Sequence, residues 1–471
     1  MGSFERLSAL DSNFLYWDFE STPINMGNIC IFEGPPLFDE HGVFRLQEVR
    51  DAFAAKLHLV PRYTMRVHRG VRFLTHPILV DDADFDIAQH VKLISLPRPG
   101  TDAQLKEVFA RVHEGTLDRS RPLWEIWFVE GLESGNVGMI QKIHHAPFDG
   151  QSTVDVLESL LDSAPQVPGH EPAPETQAVH TARPSPGPLQ VVTTHFGHRL
   201  GKVWEVAIGG PHAPVTPSRL WSNLRGLFAV GSLGLSAPSP INAVNTRSRR
   251  FDWLHTDIET VKPIRALAPG STLNDVMLTC VAAGLRQLLS AGGHDPDASH
   301  LRVFVPVSMR SDDERDASGG NRLSAIMAPL LVELADDQER LIAIQKSMVA
   351  LKAGHQPRGF SLLLDAVELL PAALLELVGP SVRNQRHLMN LTVTNVVGPR
   401  KPLFVLGARM LELNPMVPIA NQLALNVAVE SYAGRLSVGL SADGTHVPDL
   451  EPFKLGFDEA LSQLAYLSQS A

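Results

Sequence analysis

Cysteine is nearly absent from this chain: Cys30 and Cys280 are the only two in 471 residues. Two cysteines cannot supply a disulfide framework or a cysteine-rich zinc site, and they fit a reducing compartment. Long apolar runs are lacking as well. The sequence has no stretch of about 18 apolar residues of the kind that crosses a bilayer. The nearest, Phe360 to Gly379, is interrupted by Asp365, Glu368 and Glu376. The N-terminus carries Glu5 and Asp11 and no extended apolar segment, so it does not read as a secretion signal. Basic runs with interleaved aromatics are missing too, and the formal net charge of −10 argues against nucleic-acid binding. That charge is still compatible with a local basic groove for an anionic ligand. The absences together lead to the expectation of a soluble cytoplasmic protein. Peripheral contact with the inner membrane face or with lipid droplets stays open.

Apolar residues make up 44% of the chain, enough for large cores, and charged residues make up 20%, which argues against global disorder. The length implies more than one domain. In the first third, Met26 to Glu33 is β-prone. Phe44 to Leu59 is helical, with Leu46, Val49, Phe53 and Leu57 at helix spacing. Ala103 to Leu117 reads as a second amphipathic helix. Trp124 to Val129 and Val137 to His145 read as neighbouring strands turned at Ser134-Gly135-Asn136.

Seven prolines then fall between Pro165 and Pro188, a density that no helix or central strand tolerates. Apolar residues return from Leu189 to Leu235, where short packed helices are expected and a lipid-touching surface helix is an alternative. Thr272-Leu273-Asn274-Asp275 has the T-x-x-D form of a capping box and opens a helix. Strands are expected at Leu301 to Val307, Leu391 to Val397, Leu423 to Val429 and Leu436 to Leu440, and helices at Asp337 to Leu351 and Phe457 to Leu467. The expected division is 1–164, a Pro-rich crossover at 165–246, and 247–471, in an α/β layered architecture.

The segment richest in chemistry is Lys142-Ile143-His144-His145-Ala146-Pro147-Phe148-Asp149-Gly150. Histidine exchanges a proton near neutral pH, and a strand end can hold it at a cleft on rigid backbone. Strand alternation puts Gln141, Ile143 and His145 on one side and Lys142 and His144 on the other. Adjacent histidines on opposite faces cannot share a metal, and no further ligands stand at metal-like spacing, so no metal site is expected. Ser152 reads as the N-cap of the following helix, with Val154, Leu157, Leu160 and Leu161 as its apolar stripe. Asp149 and Gly150 then lie in the turn, where glycine permits backbone angles that other residues resist. A buried core histidine and a turn aspartate are the plainer explanation of the same residues.

The H-H-x-x-x-D-G pattern resembles the signature of the CoA-dependent acyltransferase superfamily. Within it the chain resembles the bacterial wax ester synthase/diacylglycerol acyltransferase family, of the mycobacterial triacylglycerol synthase type. The likeness runs nearly end to end. It includes Leu7-Ser8-Ala9-Leu10-Asp11-Ser12-Asn13-Phe14-Leu15, Arg121-Pro122-Leu123-Trp124-Glu125 and Asn274-Asp275. It continues through Val305-Pro306-Val307-Ser308-Met309-Arg310, Thr394 to Pro399, and Leu425 to Gly434.

The resemblance implies two chloramphenicol-acetyltransferase-like domains with a tunnel at their interface, entered by the two substrates from opposite ends. It implies His145 as general base, His144 as a supporting residue and Asp149 as a structural brace, with Arg310 as the arginine that braces it. Asn274 is the candidate oxyanion donor, against a local capping role. Gly150, Pro122, Leu123, Trp124, Asp275 and Arg310 are assigned to substrate binding, although a packed tryptophan at a strand start explains Trp124 as well.

The implied reaction moves an acyl group from acyl-CoA to diacylglycerol or a long-chain alcohol, with no cofactor beyond the acyl-CoA substrate. Rival readings are a carrier-protein thioester donor or a diol acceptor on the same fold, a non-catalytic lipid-binding protein, and a peripheral lipid-surface scaffold. Oligomeric state is not legible in the sequence.

Overall fold

The computed structural model describes residues 4–148, 150–165, 182–208, 236–308, 323–354, 356–368, 370–378, 388–419 and 422–469. The chain opens with β1 (Phe4–Arg6) and α1 (Ala9–Trp17), the latter started by a capping box of Ser8 and Asp11. There follow β2 (Asn25–Phe32), α2 (Leu46–Lys56), β3 (Met65–His68), β4 (Ile78–Asp81), β5 (Val91–Ser95) and α3 (Asp102–Glu114). The expected strand pair comes next as β6 (Trp124–Glu130) and β7 (Val137–His144), then α4 (Gly150–Leu160) and α5 (Pro188–Ile208).

The second part runs through β8 (Arg249–Asp257), α6 (Ile258–Ile264), α7 (Leu273–Ala291), β9 (Arg302–Ser308) and β10 (Leu323–Pro329). Three helices follow: α8 (Asp337–Ala353), α9 (Gln356–Glu368) and α10 (Ala372–Val378). The chain ends with β11 (Leu391–Val396), β12 (Phe404–Val405), β13 (Ala408–Met416), β14 (Leu425–Tyr432), β15 (Arg435–Asp443) and α11 (Glu451–Gln469). The Pro-rich run falls largely outside the described residues, as does the expected stretch of short helices beyond residue 208. No described helix is long and apolar enough to cross a membrane.

Two six-stranded sheets carry the fold, ordered β12-β13-β2-β7-β6-β5 and β10-β9-β11-β14-β15-β8, beside a small β1-β4-β3 sheet. In the second, α7 and α11 pack over the sheet and close a core that includes Val276, Val281, Leu285, Phe453 and Phe457. In the first, Phe32, Trp124, Phe128 and Met139 pack beneath Val49 and Phe53 of α2 and Leu157 of α4.

The first sheet departs from the expected division at residue 247. β13, from the C-terminal part, pairs antiparallel with β2, placing Leu413 opposite Cys30. A register shift between Met410 and Glu412 breaks the period-two pattern, which is why this strand is not legible in the sequence. β15 passes close to β13 where Gly439 stands. A methyl group there would run into the Pro415 carbonyl oxygen. Further ties between the two parts are the Lys106–Asp252 ion pair at 2.6 Å and the Ala9 N–H donated to Glu368 at 2.7 Å.

β14 turns Val427 and Val429 into the C-terminal core, and Tyr432 into the core of the N-terminal sheet. Alternation puts Glu430 on the Tyr432 side, buried and close enough to Cys30 for its charge to be felt there. Burial pushes the Glu430 carboxyl up to about 8. The folded protein therefore keeps a proton that an unfolded glutamate loses near pH ~4.3. Between those values the native state binds more protons, so this residue lowers stability progressively as pH rises. Glu430→Gln is expected to melt like the parent protein near pH ~3, below the unfolded pKa, where the side chain is neutral in both states, and to melt higher at pH ~8. Equal melting temperatures at the higher pH would show a carboxylate already compensated by a partner.

Candidate active site

β7 is buried on both faces, and its last residue, His144, lies opposite Asn25 of β2. The two faces have different chemistry. Ile143 joins the hydrophobic core under α2 and α4. Lys142 turns toward α3, where its ammonium donates to the Val112 carbonyl at 2.7 Å, and burial pulls its pKa down to about 8.

His144 is fully buried, and its Nδ1 accepts the Ala146 N–H at 3.0 Å. A ring nitrogen that accepts an N–H carries no proton, so the proton of the neutral ring sits on Nε2. Nε2 faces Asp18 Oδ2 at 3.4 Å. That contact is long and poorly directed for a hydrogen bond, so its pull is mainly electrostatic.

Asp18 joins the pieces. Its Oδ1 accepts the Ile24 N–H at 3.1 Å, and its Oδ2 accepts from Arg119 at 3.1 Å. The carbonyl of Ile24 in turn accepts the His145 N–H at 3.0 Å. One carboxylate thus holds the backbone of His145 from both sides, through Ile24 on one and through His144 and Ala146 on the other. Burial alone would raise the Asp18 pKa, but His144, the Ile24 N–H and Arg119 outweigh it and hold the carboxyl below its usual range.

His145 itself lies one residue past the strand. It is half-buried, and its ring stacks on Phe14 of α1 with centroids 4.2 Å apart and planes at 28°. The turn behind it is pinned on its own account. Arg62 donates to the Pro147 carbonyl at 2.6 Å, and Phe148 meets Tyr63 edge to face at 5.1 Å. An imidazole fixed in this way, neither sealed in hydrocarbon nor free to swing, can act as a general base.

The other residues singled out in the sequence divide into three groups. Asp149 and Arg310 lie outside the described residues. Gly150 opens α4, so the helix starts two residues before Ser152, which sits inside its first turn and is not its N-cap. Val154, Leu157, Leu160 and Leu161 are buried as its stripe.

Leu123 and Trp124 are core residues. Trp124 is 1% exposed, donates its indole N–H to the Tyr63 carbonyl at 2.8 Å and stacks on His90. Packing therefore accounts for this segment, and the expectation that Leu123 and Trp124 touch substrate gives way to it. Asp275 is buried as the acidic partner in the Thr272 capping box: its Oδ2 accepts from the Thr272 N–H and hydroxyl, while its Oδ1 is buried without a hydrogen-bond partner. Asn274 sits one residue earlier, half-buried, and its Oδ1 accepts from Asn395 at 3.4 Å. That contact turns the Asn274 amide N–H₂ away from Asn395, at the end of α7 where backbone N–H groups also point outward.

The sequence reading missed Asp18, Arg119 and Phe14. Phe14 lay inside a recognised block, but nothing local ties it to His145. A cleft of about 590 Å³ also lies apart from His145, lined by Asp81, Asp82, Asp84 and Asp86 together with Arg66, Arg121 and Arg183. Four carboxylates suit an anionic donor poorly, and Arg183 is already paired with Asp81 at 2.8 Å, so size alone does not make this cleft the active site. Among the described residues no group of three or more His, Cys, Asp or Glu side chains could hold a metal ion.

A family model for the wax ester synthase/diacylglycerol acyltransferase catalytic domain matches residues 7–277, and one for the C-terminal domain of that family matches residues 319–465. The chain belongs to the wax ester synthase/diacylglycerol acyltransferase family. It is 30% identical over 471 residues to a probable diacylglycerol O-acyltransferase of Mycobacterium tuberculosis, covering 98% of this chain and 96% of that protein. A putative diacylglycerol O-acyltransferase of the same organism is 31% identical over 472 residues, covering 97% and 99%.

Among solved structures, the wax ester synthase/diacylglycerol acyltransferase of Marinobacter aquaeolei VT8 superposes with a TM-score of 0.69 at 22% identity, covering 99% of this chain and all of that one. The first condensation domain of the calcium-dependent antibiotic synthetase gives 0.60 at 14% identity, covering 99% and 97%. These likenesses show the fold, the two-domain chloramphenicol-acetyltransferase type. As a wax ester synthase/diacylglycerol acyltransferase, the protein is an acyltransferase.

Proposed function

We propose that this chain transfers a long-chain acyl group from acyl-CoA to diacylglycerol, giving triacylglycerol and CoA, and that a long-chain alcohol is its alternative acceptor. The observation that carries the reading is the half-buried His145 side chain on a backbone clamped from both sides. His145 takes the proton of the acceptor hydroxyl as its oxygen attacks the thioester carbonyl. The tetrahedral oxyanion collapses, the carbon–sulfur bond breaks, and His145 returns the proton to the leaving sulfur. The balance closes without a cofactor or an acyl-enzyme. The base supplies roughly 10²–10⁴-fold of the rate. Incubating purified protein with radiolabelled acyl-CoA and a panel of acceptors tests the assignment. Diacylglycerol is expected to be acylated fastest, and a preference for a diol or for a carrier-protein donor would overturn it.

Asn274 is the proposed side-chain donor to the oxyanion. Asn274→Ala is expected to lower kcat about tenfold, one neutral hydrogen bond's worth, with the KM for acyl-CoA unchanged. An unchanged kcat would leave Asn274 as a partner of Asn395 alone.

The water-insoluble acceptor also favours peripheral contact with a lipid surface. α5 exposes Leu189, Phe196 and Leu200, spaced seven and four residues apart on one helical face. Replacing all three with serine is expected to reduce sedimentation with liposomes. Undiminished sedimentation would exclude this face as the contact.

A further inference from the structure

The hairpin of β3 and β4 is a basic segment of an acidic protein. Between residues 65 and 80 it carries Arg66, Arg69 and Arg72 and no acidic residue, in a chain whose formal net charge is −10. Arg66 leans on Asp82 at 3.8 Å. Arg69 is exposed and makes no ion pair among the described residues. The Arg72 side chain is 78% exposed, so its 3.7 Å contact with Glu376 of α10 leaves most of the guanidinium in water.

The tip of the hairpin is apolar and tied in place. The Leu74 and Thr75 N–H groups donate to the Val71 carbonyl, each at 3.0 Å, and the Val71 N–H donates to Thr75 Oγ1 at 2.9 Å. This turn holds Phe73 at a φ of 64°, where bulky side chains are rarely found. Phe73 and Leu74 are both exposed, and the Arg72 guanidinium lies over the Phe73 ring at 4.7 Å. An aromatic ring and a leucine held out beside guanidinium groups suit the boundary of a bilayer. The apolar pair enters the edge of the hydrocarbon, and the arginines stay among the headgroups.

The position of the tip favours a lipid surface over another protein. One residue past the turn, His76 meets His195 of α5 edge to face at 5.1 Å. α5 is the helix whose exposed Leu189, Phe196 and Leu200 form the lipid contact proposed above. On the other side Arg72 reaches α10, which exposes Leu374 and Leu377. α10 packs on α1, and Phe14 of α1 stacks on His145. The tip thus stands between two helices with exposed apolar residues, near the wall of the proposed active site, where a water-insoluble acceptor has to arrive. Arginines without a neighbouring acid on the hairpin complement the negative charge of a bilayer that holds anionic lipid.

We propose that the β3–β4 hairpin docks the protein on an anionic bilayer, with Phe73 and Leu74 entering the interface and Arg69 and Arg72 at the headgroups. The inference deepens the peripheral contact given for α5 and rests on the same reading of a lipid acceptor. Sedimentation with phosphatidylcholine vesicles, with and without phosphatidylglycerol, tests it. The double variant Arg69→Gln, Arg72→Gln is expected to lower affinity for the phosphatidylglycerol vesicles about 30-fold, the product of two interfacial arginines, and to leave affinity for phosphatidylcholine alone unchanged. The double variant Phe73→Ser, Leu74→Ser is expected to lower both affinities about tenfold or more. Raising NaCl from ~0.05 M to ~0.5 M is expected to erase the preference of the parent protein for phosphatidylglycerol.

Unchanged binding by both variants would leave the tip to a protein partner and overturn the proposal. Loss of binding by the Phe73→Ser, Leu74→Ser protein alone would overturn the choice of an anionic surface. All four side chains are exposed, so both variants are expected to melt like the parent. Arg69→Gln alone, which breaks no ion pair among the described residues, is expected to show about a fivefold loss and keeps the test readable if a double variant unfolds. Acylation is measured separately. Both variants are expected to slow acylation of diacylglycerol held in phosphatidylglycerol vesicles and to leave acylation of a short-chain alcohol in solution unchanged. Equal slowing with the soluble alcohol would place the hairpin in the reaction and overturn its docking role. Should no acceptor be acylated at all, the acyltransferase reading fails, and sedimentation still decides the hairpin.

Discussion

His145→Ala is expected to lower the rate of ester formation about 10³-fold while the protein stays folded, the middle of the range for loss of a general base. The backbone N–H of residue 145, which is donated to Ile24, survives the substitution. So do the Asp18–His144 contact and the Ala146 N–H bond to His144. The lost packing includes the ring stacked on Phe14. The melting temperature should therefore stay close to that of the parent, and affinity for acyl-CoA should hold. Loss of activity together with loss of folding would point to the buried core histidine that the sequence alone also allows. Near-normal turnover would remove His145 from the chemistry.

Asp18→Ala carries the second large effect, and it differs in kind. Asp18 touches no reacting atom in the proposed mechanism; it positions. Its side chain is 1% exposed and holds Arg119, the Ile24 N–H and the His144 ring together. Removing it leaves Arg119 on its Leu15 carbonyl contact but takes the partner from the buried Ile24 N–H and the charge from beside the His144 ring, at a cost of about 2 kcal/mol. The His145 backbone is then released on both sides. A displacement of about 1 Å in a catalytic group costs on the order of 10²-fold, so kcat should fall by that much with little change in KM. Asp18→Asn keeps an acceptor for Ile24 and should lie between the two.

The pH dependence has a definite sign. The Asp18 carboxyl is held below its usual range, so its contribution to stability is present above the unfolded value of about 3.9 and is lost as pH falls through the folded one. The stability gap between parent and Asp18→Asn should therefore narrow only below about pH 4. A gap that is constant through acid pH would show that charge is not what Asp18 supplies.

The parts of this fold that were legible in the sequence are those governed by local physics. The β6–β7 pair follows from two apolar runs and a Gly-Asn turn. The start of α7 follows from the hydroxyl and carboxylate of Thr272 and Asp275, and both capping contacts are present. The stripe of α4 follows from helical spacing, although its start was misjudged because Ser152 is as good a first-turn residue as a cap.

What was not legible depends on contacts between distant segments. Asp18 and Arg119 are 101 residues apart, and a lone aspartate after a tryptophan gives no sign of a buried carboxylate. β13 leaves its own half of the chain to complete the other sheet, and the bulge in it hides the alternation. Trp124 was assigned to substrate because it sits in a recognisable block. A motif marks a residue that matters without distinguishing the core beneath a site from its lining.

The most direct test combines product and protein in one experiment. Purified protein is incubated with radiolabelled palmitoyl-CoA, with and without diacylglycerol, beside the His145→Ala variant, and label is counted in triacylglycerol and on the polypeptide. Direct attack assisted by His145 predicts labelled triacylglycerol only from the parent protein and only with acceptor present, with no label on the chain. Label retained by the polypeptide when acceptor is omitted, or triacylglycerol formed at the parent rate by the variant, would contradict it.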